Sequence, residues 1–121
     1  MPRVWIAEPD AAVDVEEFLG ANGYPHQGWT EHFLRRALLI RIGTKKETFA
    51  WVWFAWLQGN NRVLAMHVCV AREHRLRWIT PFVVGRLNAI VEMLDATMVV
   101  AYPQRPARFM ARFGFEVVGN V

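Results

Sequence analysis

Val63-Leu64-Ala65-Met66-His67-Val68-Cys69-Val70, then Ala71-Arg72-Glu73-His74-Arg75-Leu76-Arg77-Trp78-Ile79, then Thr80-Pro81: these three phrases follow one another without a break. The first is an apolar run with several valines, as expected of a buried strand. Thr80-Pro81 is a helix start. The threonine hydroxyl can accept from a first-turn amide, and the proline ring presets a helical φ where its missing N–H is not needed. Phe82, Val83, Leu87, Ile90, Val91 and Leu94 then recur at helical spacing. Residues 71–79 therefore make a basic strand-to-helix turn. In many folds such a turn holds a phosphate, because free helix amides and the helix dipole attract anions. This one has no glycine, and Leu76 and Trp78 stand in its middle. Glycine lets a backbone approach a phosphate closely, so the turn departs from an ordinary cradle.

Upstream, Thr48–Leu57 and Arg62–Val70 read as two strands joined by Gln58-Gly59-Asn60-Asn61, with Gly43-Thr44-Lys45-Lys46-Glu47 making a similar turn before them. Residues 38–70 are thus expected to form a three-stranded antiparallel meander. In the segment 48–57, Phe49, Trp51, Trp53, Ala55 and Leu57 alternate with Ala50, Val52, Phe54 and Trp56, apolar on both faces. A strand of that kind is central and covered on both sides.

Further out, Val4-Trp5-Ile6-Ala7 is a short strand, and Pro9-Asp10 opens a helix with Asp10 as the expected N-cap and Val15, Phe18 and Leu19 on one face. Gly20, Asn22 and Gly23 end it. Thr30 is the expected cap of a second helix carrying Phe33, Leu34, Ala37 and Leu38, which passes into a strand near 39–42. If uncovered, that strand would offer an edge for self-association. Beyond the helix from Thr80, Thr97–Ala101 reads as a strand. Tyr102-Pro103-Gln104-Arg105-Pro106 leads to a short helix from Ala107 to Phe113, closed by Gly114, and Phe115-Glu116-Val117-Val118 is a last strand. The order β-α-α-β-β-β-α-β-α-β predicts an α+β fold, layered α/β/α, with a mixed and mainly antiparallel central sheet and about four helices.

Composition bounds the function. The chain has 121 residues, 54% of them hydrophobic and 21% charged, which suits a single globular domain over 1–121. No run approaches the length of a membrane span, and Met1-Pro2-Arg3-Val4-Trp5-Ile6 lacks a signal-peptide core, so synthesis and residence in a cytoplasm are expected. The net charge is +3, unevenly spread: Glu8, Asp10, Asp14, Glu16 and Glu17 crowd the start, whereas residues 62–112 hold eight arginines against Glu73, Glu92 and Asp95. The second half is the anion-attracting half. Six tryptophans are assigned mainly to the core. His26, His32, His67 and His74 with Cys69 contain no i, i+4 histidine pair and no Cys-x-x-Cys, so no metal site is expected. Cys69, in a strand, reads as a small buried hydrophobe.

The closing phrase Arg108-Phe109-Met110-Ala111-Arg112-Phe113-Gly114-Phe115-Glu116-Val117-Val118-Gly119, set in that element order, resembles the GNAT N-acetyltransferase superfamily, in which a short helix ends in Gly-Phe before a strand. The resemblance in element order covers nearly the whole chain, and its motifs lie within 62–119. It implies an acetyl-CoA cofactor whose pyrophosphate rests on a turn of the form Arg/Gln-x-x-Gly-x-Gly/Ala between the fourth strand and the third helix. Here Arg75-Leu76-Arg77-Trp78-Ile79-Thr80 takes that place, and the resemblance makes these six residues the cofactor-binding candidates. Trp78 stands for the first glycine, Thr80 for the second small residue, and Leu76 for a further glycine. Active relatives often carry a tyrosine that protonates the departing thiolate, where this chain has Met110, and methionine cannot donate a proton. His67, on the strand beside the expected cleft, is the candidate base.

Small proteins of tailed bacteriophages, among them internal virion proteins of short-tailed phages, are similar in a non-glycine turn with Arg and Trp and in a closing helix like Ala107–Gly114. That resemblance implies a non-catalytic interaction or virion-associated protein, in the host cytoplasm or the virion, with a phage or host protein as partner. An acetyl-CoA-dependent N-acetyltransferase acting on an amine is the alternative. A third reading has Arg72, Arg75 and Arg77 with Arg105, Arg108 and Arg112 binding nucleic acid, since the last three share a helical face.

Overall fold

The computed structural model describes residues 2–24, 31–57, 60–74 and 78–101. Their elements are β1 (Arg3–Ile6), a 3-10 turn (Pro9–Ala11), α1 (Ala12–Ala21), α2 (Glu31–Leu34), β2 (Leu38–Gly43), β3 (Thr48–Leu57), β4 (Asn60–Val70), a second 3-10 turn (Arg72–His74), α3 (Pro81–Met93) and β5 (Met98–Val100). The strands form a five-stranded sheet in sequence order, antiparallel except where β5 joins β4 in parallel. This is the mixed, mainly antiparallel α+β architecture expected. The residues expected to form a closing helix and last strand, Ala107 to Val118, fall outside the described residues, as does Thr30.

The alternation in β3 decides both cores. Ala50, Val52 and Phe54 point to one face and pack with Ile40, Ile42, Leu64, Met66, Val70 and the α3 side chains Val83, Leu87 and Ile90. Trp51 and Trp53 point to the other and pack with Leu39, Cys69, Ala12, Val15 and Leu19 of α1, and Leu34 of α2. β3 is therefore covered on both sides, as its two-sided apolar pattern requires. Among the described tryptophans, Trp51, Trp53 and Trp78 are core, whereas Trp56, at 42% exposure, and the partly buried Trp5 are not.

Local differences from the expected elements have physical reasons. The first helix begins as a 3-10 turn, and the preceding Glu8 makes no side-chain cap, so Asp10 lies within the turn and caps nothing. The second helix stops at Leu34 because Leu38 is already paired with Phe54 in the sheet; cross-strand pairing overrides the apolar spacing that would have continued the helix. β2 is no free edge, since β1 pairs with it from Arg3↔Gly43 to Ile6↔Ile40. At the β2–β3 turn, a Cβ on Gly43 would lie 2.2 Å from the Glu47 carbonyl oxygen, so this register shift admits only glycine.

α3 has both its caps. The Val83 N–H donates to the Thr80 hydroxyl at 3.2 Å, as the sequence predicts. At the other end Asp95 takes a left-handed φ of 57°, and the amides of Asp95 and Ala96 return to the carbonyls of Glu92 and Val91. Among the described residues, no helix is long and apolar enough to cross a membrane.

Trp78 has 0% exposure and lies in the α3-side core. Trp78→Ala is expected to destabilise the protein by about 3–5 kcal/mol through lost burial and the cavity left behind, measured by urea unfolding. A loss under about 1 kcal/mol would remove Trp78 from the core account.

Candidate functional site

β4 and β5 part early. Their parallel register runs Val63↔Met98, Leu64↔Val99, Ala65↔Val100, and β5 ends there while β4 continues to Val70. On its other side β4 stays paired with β3 as far as Ala50↔Val70. The Ala71 N–H donates to the Phe49 carbonyl at 2.8 Å, which makes 49 and 71 a hydrogen-bonded pair and, by alternation, 50 and 70 a non-hydrogen-bonded one. The peptide groups of Val70 therefore point away from β3, and those of Val68 and Met66 point the same way. Among the described residues, no strand lies alongside 66–70 on that side.

His67 sits next to this opening. Its register partner is Trp53, and the two rings stack with centroids 5.7 Å apart. Burial holds its pKa below the usual 6.5, so the imidazole is neutral near pH 7. Cys69, two residues on, is fully buried, and burial pushes its thiol up to about 12 against a smaller opposing effect of the Trp51 backbone. A thiol so protected stays protonated and is no nucleophile at neutral pH.

The strand-to-helix turn is held at both ends. On one side, α1 ends in a Schellman motif: Gly23 takes φ 75°, and the amides of Gly23 and Tyr24 return to the carbonyls of Gly20 and Leu19. This delivers Tyr24 to the open edge of β4. Its hydroxyl accepts from the Val70 N–H at 2.9 Å and donates to the Val70 carbonyl at 3.2 Å. Next to it, the Arg72 N–H donates to Asn22 Oδ1 at 3.4 Å, and the Arg72 guanidinium lies so close to Gly23 that an added Cβ would sit 2.6 Å from Nη2. On the other side, His74 pairs with Glu47 and stacks on Phe49 with centroids 3.8 Å apart.

Of the six residues proposed for the cofactor turn, Arg75, Leu76 and Arg77 lie outside the described residues. Trp78 points into the core, so its ring does not fill the mouth of the turn. Ile79 is partly buried against the same core. Thr80 uses its hydroxyl and its carbonyl on the amides of Val83 and Val84, and Pro81 has no amide to give. The start of α3 is therefore largely satisfied internally, which leaves an incoming phosphate to depend more on side chains. Of the six arginines considered for anion or nucleic-acid binding only Arg72 is described; Met110, Arg105, Arg108 and Arg112 also fall outside. Among the described residues, no three His, Cys, Asp or Glu side chains come together as a metal site would require. Sequence reasoning missed Tyr24 altogether. Its only signal was the Asn22-Gly23 helix end just before it, and nothing local says which strand that end faces.

No family model matches the chain, and no curated protein does. Solved structures do. Ribosomal-protein-alanine N-acetyltransferase from Brucella melitensis biovar Abortus superposes with a TM-score of 0.67 at 17% identity, over 100% of this chain and 98% of that one. Glucosamine-6-phosphate N-acetyltransferase from Arabidopsis thaliana gives 0.68 at 12% identity, over 100% and 95%. A Xanthomonas campestris structure assigned to the GNAT family gives 0.67 at 14% identity, over 98% and 87%. The chain has the GNAT fold. Within it, the parting of β4 from β5 and the turn before α3 are the features peculiar enough to build a site on.

His67 also makes a pH prediction. Its folded pKa is lowered, so the unfolded chain takes up a proton first as pH falls through 6.5. The stability it contributes is complete above that value and is lost on further acidification through the lowered folded pKa. Melting temperature should fall over this range and His67→Gln should flatten the fall; identical profiles for the two proteins would contradict the assignment.

Proposed function

We propose that this protein binds acetyl-CoA along the open edge of β4 and transfers acetyl to an amine. The observation that carries the reading is the end of the β4–β5 ladder at Ala65↔Val100, which leaves the outward carbonyl of Met66 and both outward peptide groups of Val68 beside His67 with no strand partner among the described residues. An extended chain with amides of its own pairs with such an edge as an added strand would. The pantetheine arm of coenzyme A has that chemistry, and the edge fits it. When bound, acetyl-CoA would supply an activated acyl thioester. The residues of this chain would bind, orient and move a proton: Met66 and Val68 through their backbones, Arg75 and Arg77 through charge toward the pyrophosphate, and the neutral imidazole of His67 as the acceptor of the amine proton.

Calorimetry on the full chain should show saturable CoA binding, weakened about tenfold or more by Arg75→Ala, since one charge-assisted contact is lost. Acetyl transfer, followed with a panel of primary amines and a thiol reagent, should drop by about 10²-fold or more in kcat for His67→Ala. Transfer unaffected by His67→Ala would remove the histidine as base.

A second reading is favoured by the internally satisfied start of α3 and by Met110 in place of a proton-donating tyrosine. In it the chain is a non-catalytic GNAT-fold protein of phage type, working as an interaction or virion component in the host cytoplasm or the particle. No binding at millimolar CoA would favour it over transfer. Tight CoA binding lost in Arg75→Ala would argue against it.

A further inference from the structure

We propose that Tyr24 is a built-in occupant of the ligand edge, a side chain that stands where the third peptide contact of an extended ligand would lie and that must swing away for full binding. This rests on the reading of the β4 edge as the cofactor site. The Met66 carbonyl and the peptide groups of Val68 and Val70 in β4 face the opening, and the Tyr24 hydroxyl already satisfies both groups of Val70. A hydroxyl that accepts from an N–H and donates to the carbonyl of the same residue reproduces what a neighbouring strand offers at that position. It leaves no room for a ligand amide there.

Tyr24 is also not placed by chance. The Schellman end of α1 fixes its backbone, and its ring lies against the α1-side core. Asn22 donates from Nδ2 to the Phe18 carbonyl at 2.9 Å while Oδ1 accepts from Arg72. The segment 22–24 is thus latched to 70–72 at two points. Releasing Tyr24 from Val70 removes one of those two points, so a ligand that pairs along β4 as far as Val70 has to break the latch. Short ligands that pair only at Met66 and Val68 do not open it.

The test compares the full chain with Tyr24→Phe, which keeps the ring and removes the hydroxyl. CoA binding is measured by calorimetry, and the amides of 66–70 are followed by NMR on labelled protein. The expected result is CoA affinity about five- to tenfold tighter in Tyr24→Phe, the size of one exchanged hydrogen-bond pair. In the wild-type chain, CoA should also shift the Val70 amide and the Tyr24 ring signals, whereas N-acetylcysteamine, a short amide thiol, should shift only Met66 and Val68. The wild-type signals decide the matter even if Tyr24→Phe folds poorly. Equal affinity for the two proteins, with Met66 and Val68 shifted by CoA and Val70 and Tyr24 unmoved, overturns the latch and leaves the cofactor reading standing. No shift of any β4 amide by CoA in either protein overturns the cofactor reading, and the latch with it.

Discussion

The rest of this molecule depends on an imbalance in one strand. β4 is paired on one side with β3 from Leu64 to Val70 and, among the described residues, on the other with β5 over Val63–Ala65. Backbone N–H and C=O groups are obligatory hydrogen-bonding groups, so the unpaired stretch has to be met by something other than the sheet. At its far end Tyr24 meets it; at its base β5 does. Between them lie Met66 and Val68, where the proposed ligand would pair.

That imbalance is held open by packing on both faces. The α3 core, with Trp78 fully buried in it, fixes where the chain leaves β4 and re-enters the helix. The α1 core fixes where Tyr24 and Asn22 arrive. His74 ties the same turn to the β2–β3 hairpin through Glu47 and Phe49. The described ends of the turn, 71–74 and 78–80, are thus set by contacts from three directions.

The elements legible in advance were those with strong short-range signals. β3 came from a two-sided apolar alternation and α3 from Thr80-Pro81 followed by helical spacing; both lie where expected. Cys69 as a buried thiol was likewise readable from strand position. The second helix was overextended, because Ala37 and Leu38 fit a helical face as well as a strand, and only the pairing with Phe54 resolves the ambiguity. Trp78 looked like an obstruction in the turn because sequence alone cannot say which way a turn side chain points.

The sequence by itself determined the strands β1 to β5 and their order, the central place of β3 and the start of α3, because propensity, capping and periodicity act over a few residues. Tertiary structure decided what is available for chemistry. Which peptide groups stay unpaired depends on how far two parallel strands run together, and which side chain covers them depends on a helix end 46 residues away from Val70. Those are long-range contacts without a local pattern, so the open edge and its tyrosine emerge only once the chain has folded.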